Sequence, residues 1–195
     1  MMPRKKHTRT GLLLLLAFSL GACFKSNPPV STQRYSLPDA ATPPAVATAP
    51  AQTAPSALLL KRIQLADYLD TDRIVVQTDD VTLHPARDHL WVDSLSQELR
   101  RSLRARLASR LPNTAITDTV SGAAPALSIT IDQFHGQMRG YAILSGHWQV
   151  DAASQQTFRF STPLSENGYP ALVRALGTDL DLLSDQIASQ LQKSP

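Results

Sequence analysis

The only cysteine of the chain, Cys23, closes a short apolar run, and this placement limits the fold more than any other feature. Ahead of it stand Arg4, Lys5, Lys6 and Arg9, then an apolar stretch from Gly11 to Leu20. Basic residues, a short apolar stretch and small residues at its end make a secretory signal peptide, which is removed on export. The stretch is too short to cross a bilayer core, which takes roughly 20 apolar residues. Residues 1–22 are therefore set apart from the fold.

Leu20-Gly21-Ala22-Cys23 resembles the lipobox of bacterial lipoproteins. The thiol is the nucleophile that accepts a diacylglyceryl group, and small neighbours let a membrane-embedded peptidase approach the backbone. Cys23 then becomes the first mature residue, carrying diacylglyceryl and N-acyl lipid as its covalent modification, and no other cofactor is expected. Each buried methylene contributes about 0.8 kcal/mol, so two or three acyl chains hold durably where one holds only reversibly. Phe24, not an aspartate, follows the cysteine, which resembles the lipoproteins sorted to the outer membrane. A lipidated thiol leaves no cysteine for a disulfide, a zinc site or a catalytic nucleophile.

Four of the 19 Lys and Arg lie in residues 1–22 and none of the 16 acids does, which leaves 15 against 16 in the mature chain. The basicity of the whole sequence belongs mainly to the leader, and it gives no support to a nucleic-acid partner.

Residues 23–34 read as a lipidated tether, and residues 35–193 as one domain with a single core. Tyr35-Ser36-Leu37 has a short strand pattern. A loop at 38–57 rich in Pro, Ala and Thr, with Asp39 as its only charge, is expected to be extended or disordered. From Leu58, Leu59, Ile63 and Leu65 alternate with Lys61 and Gln64 as in a strand. Ile74-Val75-Val76 and Val81-Thr82-Leu83 flank Thr78-Asp79-Asp80, which predicts a hairpin.

Between Asp88 and Leu111 apolar residues recur every fourth position, at Trp91, Leu95, Leu99, Leu103, Leu107 and Leu111. That spacing predicts a helix whose stripe drifts by about 40° per step. Acids occupy its first half and Arg100, Arg101, Arg104, Arg106 and Arg110 its second, as the helix dipole favours. Pro112 and Asn113 stop it. Leu127 to Asp132 alternates cleanly, Gly136 to Gly140 marks a turn, and Ala142, Leu144, Gly146, Trp148 and Val150 line one strand face. Phe158 and Phe160 line another, completing an antiparallel meander. A second helix begins near Pro170 and carries Leu172, Leu176, Leu180, Leu183, Ile187 and Leu191, with Gly177 as a point of bending. The fold class is thus α+β: a mostly antiparallel mixed sheet of about five to six strands with both helices packed on one face.

No arrangement of residues makes a reaction centre. Asp67, Asp70 and Asp72 lack the glycine and final glutamate of a calcium loop. His84, His89, His135 and His147 have no metal-motif spacing, so no metal ligand and no catalytic residue is assigned. Glu98 reads as an exposed helix residue. The arginines from Arg100 to Arg110 fit two readings: an anionic target, or dipole complementarity and solubility on the helix's outer face.

Several pieces together resemble the PqiC family of membrane-integrity-associated, ABC-type transport auxiliary lipoproteins. They are the lipobox ending at Cys23, the Tyr35-Ser36-Leu37 strand, Ile63-Gln64-Leu65-Ala66-Asp67-Tyr68-Leu69-Asp70 leading into Ile74-Val75, and His89-Leu90-Trp91-Val92-Asp93-Ser94-Leu95. The resemblance implies a non-enzymatic, ring-like homo-oligomeric lipoprotein of the outer membrane, facing the periplasm. It also implies partners: an MCE-domain periplasmic protein of the PqiB type and its inner-membrane companion, which together move lipids between membranes. Trp91, Arg100, Arg101 and Arg104 are the residues singled out for partner contact. A lipoprotein that activates a periplasmic cell-wall enzyme is the alternative function.

Overall fold

The computed structural model describes residues 31–40, 57–119 and 124–193. Cys23, the leader, most of the tether and most of the Pro/Ala/Thr-rich loop lie outside them.

One strand organises the sheet. β7 (Ala126–Gln137) pairs along one flank with β8 (Tyr141–Val150), which pairs with β9 (Gln156–Pro163), both antiparallel. These three strands are the meander that the alternation predicts. Along its other flank β7 is matched in succession by three short parallel segments. Leu60 of β2 (Ala57–Leu60) sits beside Leu127, Leu65 of β3 (Gln64–Leu65) beside Ile131, and Val76 of β4 (Arg73–Gln77) beside Gly136. β5 (Leu83–Trp91) returns antiparallel to β4 as the predicted hairpin, and β1 (Gln33–Tyr35) lies parallel to the end of β5. β6 (Ala115–Thr117) closes the far side against β2.

The result is a mixed sheet of nine strands. The α+β class and mixed sheet agree with the sequence reading. The higher strand count comes from pieces of two to four residues, whose pairing is set by distant partners and not by local pattern. The long ladders are antiparallel, while the parallel pairings are brief.

Two helices complete the described fold, α1 (Leu95–Arg110) and α2 (Tyr169–Lys193). Leu99, Leu103 and Leu107 of α1 and Leu176, Leu180, Leu183 and Ile187 of α2 are fully buried with Leu127, Ile131 and Leu144 of the sheet. Each such side chain contributes about 1.5 to 3 kcal/mol of burial.

The first helix starts seven residues later than its spacing predicts, because Asp88 to Trp91 belong to β5. The backbone there is already engaged: the Trp91 amide donates to the Asp72 carbonyl at 2.7 Å and the Val92 amide to the Tyr35 carbonyl at 2.9 Å. Trp91 continues the four-residue spacing without being helical, since its ring is needed in the core, 5.9 Å from Phe134. The fold also reaches back to Gln33, so Gln33 and Arg34 belong to a strand and not to the tether. Gly136 lies within β7, where a Cβ would press on Leu172 of α2. Gly140, with a φ of 81°, makes the actual turn.

Gly146 is set by a close approach. β7 carries a bulge between Ile131 and Gln133, and the ladder draws β8 against it. A Cβ at Gly146 would collide with the Thr130 carbonyl oxygen and lie 3.0 Å from the Phe158 ring. Gly146→Ala is therefore expected to cost roughly 2 to 3 kcal/mol and lower Tm by about 5 to 10 °C, read by thermal unfolding.

Candidate functional site

α1 separates its charges into an inner and an outer set. The leucine column at 95, 99, 103 and 107 is followed on the helix by a second column with the same four-residue spacing, Glu98, Ser102, Arg106 and Arg110. All four are buried. The drifting stripe carries this second column beneath α2 and beneath the chain that follows β1.

The inner set holds residues 36–39. The Leu37 amide and the Ser36 hydroxyl both donate to the Glu98 carboxylate at 3.3 Å. Glu98 is thus buried and occupied, contrary to the exposed position that its sequence context suggests. Arg106 donates to the Pro38 carbonyl at 3.0 Å, to the Asp39 carbonyl at 3.4 Å and to the Gly177 carbonyl at 3.3 Å, and also to Ser102. Its Nε faces Asp181 of α2 at 3.2 Å as an ion pair without an aligned hydrogen bond. Arg110 binds Asp181 at 3.1 Å and also engages Asp185.

Burial lowers the Arg106 pKa and the Asp181 carboxylate opposes that shift. Gly177 makes room for the strap, since a Cβ there would collide with the Pro38 ring. The helix is continuous through Gly177, so the glycine serves a crossing and not a bend. Arg106 and Arg110 therefore leave the outer face on which the sequence reading put them.

A ring cluster anchors the start of the same segment. The Tyr35 hydroxyl bonds His89 Nδ1 at 2.9 Å, and the His89 ring stacks on Tyr169 with centroids 3.7 Å apart. β1, β5 and the first turn of α2 meet there.

The outer set is Arg100, Arg101 and Arg104, the three arginines singled out for contact, and the structure leaves Arg101 and Arg104 exposed and Arg100 half-buried. Arg100 bonds Asp118 at 2.6 Å, Arg104 lies 3.8 Å from the same carboxylate, and Arg101 binds Asp93 at 2.9 Å and also Glu98. The Arg100 bond holds the Asp118 carboxyl below its usual range. The pairs with Asp118 and Asp93 lie at the surface and contribute about 0 to 1 kcal/mol each, so they exchange partners readily, whereas the Glu98 carboxylate that Arg101 also meets is buried. Trp91, at 2 % exposure, is not on this surface, and its ring packs the core beneath it.

Among the described residues no three His, Cys, Asp or Glu side chains converge to hold a metal ion. Asp67 opens a single 3-10 turn over Asp67–Leu69, and the Asp72 carbonyl serves the β5 backbone. His135 is buried with its pKa lowered by burial, and His147 lies 3.9 Å from Asp132 at the surface.

One buried acid was not visible in the sequence. Asp179 of α2 is fully buried, accepts a 2.5 Å bond from the Thr162 hydroxyl through one oxygen, and leaves the other unpartnered. Burial pushes its carboxyl up from 3.8 to about 6, against the lowering effect of the Thr162 bond. As pH rises through that window the unfolded chain releases this proton first, so stability is lost towards pH 6. Asp179→Asn is expected to abolish that loss and to raise stability at neutral pH by about 1 to 3 kcal/mol, read by denaturant unfolding across pH.

Fold and site together define a small α+β domain with a charged helix face outside and ion pairs inside. Residues 35–188 match the family described as the ABC-type transport auxiliary lipoprotein component. The chain belongs to that family, whose members include PqiC. It is 30% identical over 142 residues to the intermembrane transport lipoprotein PqiC of Escherichia coli K12, covering 71% of this chain and 76% of that one. A crystal structure of an uncharacterized protein superposes with a TM-score of 0.72 at 26% identity, covering 83% of this chain and 99% of that one. A Xanthomonas campestris protein shares the fold with a TM-score of 0.65 at 18% identity, over 82% of this chain and 94% of its own. Among the described residues no helix is long and apolar enough to cross a membrane.

The inner set supplies the prediction for this site. Arg106→Met leaves Arg110 to balance Asp181 but frees the Pro38 and Asp39 carbonyls, and breaking a buried pair costs about 3 to 5 kcal/mol. Urea unfolding of this variant is expected to show a loss in that range, whereas Arg104→Gln on the outer face stays within about 0.5 kcal/mol of the parent.

Proposed function

We propose that the chain is a non-enzymatic, outer-membrane lipoprotein subunit of an intermembrane lipid-transport assembly, anchored through acyl chains on Cys23 and facing the periplasm. Its partners in this reading are an MCE-domain periplasmic protein and that protein's inner-membrane companion, with the lipoprotein itself forming a homo-oligomer. The observation that carries the reading is the 30% identity, over 71% of the chain, to a protein named for intermembrane transport. Two physical features support it. The strap fixes the amino-terminal segment to the body, so the domain stays close to its anchor. Arg100 and Arg104 are held only by weak pairs with Asp118 at the surface, and such pairs are easily traded for acidic groups on a partner.

Capture of the full lipidated chain from crosslinked envelopes tests this function. An MCE-domain protein is the expected companion, and recovery of a cell-wall synthase in its place overturns the proposal in favour of enzyme activation. Arg100→Gln, Arg101→Gln and Arg104→Gln together are expected to reduce that capture roughly tenfold, as three rim contacts of under 1 kcal/mol each imply. Undiminished capture removes the outer face of α1 as the contact.

A further inference from the structure

The exposed apolar side chains of the body are unevenly placed. Of the six large hydrophobic residues exposed among those described, Val81, Leu83, Met138 and Tyr141 lie at one end of the sheet. Val81 and Met138 stand out most, at 90% and 71% exposure. Scattered exposed hydrophobics are ordinary, but a group concentrated on one end marks a contact surface.

The two turns that carry them are joined into one platform. The Met138 amide donates to the Gln77 carbonyl at 3.0 Å, and Gln137 Nε2 donates to Gln77 Oε1 at 3.0 Å. Asp79 Oδ1 accepts the Val81 and Thr82 amides at 2.9 and 2.8 Å, so its carboxylate closes the turn and Val81 forms the outer edge. Arg139 is exposed beside Met138, and Tyr141 opens β8 next to it.

The direction of β1 says what this end faces. Gln33 pairs with His89, and neighbouring Leu90 pairs with Arg73, whereas Leu83 at the other end of β5 pairs with Gln77. Because β1 runs parallel to β5, its amino end points towards the side of the Val81 and Met138 turns. Along β4 that end is only about 10 to 13 Å from the level of Gln33. Cys23 lies ten residues before Gln33, and ten residues reach at most about 36 Å. That length exceeds the distance from the level of Gln33 to the plane of these turns.

We propose that this end of the sheet rests on the phospholipid bilayer that holds the anchor, with Val81 and Met138 inserted at the headgroup boundary, Tyr141 at the interface and Arg139 among the phosphates. Tyrosine with an apolar neighbour suits that depth. The inference rests on lipidation of Cys23, and it adds an orientation: the turns face the membrane, while the opposite end of the sheet, where β5 passes into α1, points into the periplasm.

The test uses the full chain processed to its lipidated form, with Val81→Cys, Met138→Cys or, as a control on α2, Leu182→Cys carrying an environment-sensitive fluorophore. Each is reconstituted on phosphatidylethanolamine and phosphatidylglycerol vesicles. Blue-shifted emission, quenched by brominated acyl chains, is expected at 81 and 138 and not at 182. Co-sedimentation with vesicles but unshifted emission at 81 and 138 overturns the orientation while leaving the anchor intact. Failure to sediment, with an unmodified Cys23 by mass spectrometry, overturns the anchor and the orientation with it. A shift that grows with protein density and ignores brominated lipid assigns the surface to a second copy and also overturns the proposal.

Discussion

The structure depends on a guanidinium kept out of water. Arg106 is 1% exposed, and removing such a cation from solvent costs several kcal/mol that only close, well-placed acceptors offset. Besides the Ser102 hydroxyl one turn back on its own helix, its partners come from three places: the carbonyls of Pro38 and Asp39, the Gly177 carbonyl, and the Asp181 carboxylate. None of these is local in sequence. Satisfying Arg106 therefore brings together the chain after β1, the middle of α1 and the middle of α2. Glu98 repeats the arrangement about two turns towards the start of α1, with the opposite charge and with Leu37 and Ser36 as donors.

This arrangement gives the amino-terminal segment a role beyond connection. Residues 33–39 form an edge strand and then a strap across both helices, so a pull on the chain upstream is carried into the core through backbone carbonyls and the His89–Tyr169 stack. Under the proposed lipidation of Cys23, that is the segment that joins body and anchor. The same economy explains the outer face of α1. Cations needed for the strap are buried in one column, and those left outside hold one another's partners loosely.

Much of the scaffold was legible because its signals are local. The meander, the β4–β5 hairpin and α2 follow from alternation, turn residues and leucine spacing within single segments. The start of α1 was not legible, since Trp91 satisfies the helical spacing while its amide belongs to a strand ladder formed with distant residues. The strand read at Tyr35-Ser36-Leu37 lies two residues earlier, at Gln33–Tyr35, and the alternation from Leu58 to Leu65 is split into β2 and β3, because parallel pairing with partners far along the chain sets these boundaries; β6 is too short to show a pattern. The inner charges left a signal that went unread. Glu98, Ser102, Arg106 and Arg110 share the four-residue spacing of the leucines one position earlier, and Gly177, Asp181 and Asp185 repeat it on α2. Two such columns, one cationic and one acidic, on helices already expected to pack together, point to a buried charged seam. Asp179 left no comparable signal, since its burial depends on the meeting of α2 with β9.

The central claim is that the chain after β1 is part of the folded body, held there by Glu98 and Arg106. Native-state hydrogen exchange of the Leu37 amide, which donates to the Glu98 carboxylate, tests it directly. Exchange as slow as that of the amides at the centre of β7 is the predicted result. Exchange at the rate of an unstructured peptide, while β7 remains protected, would contradict the account.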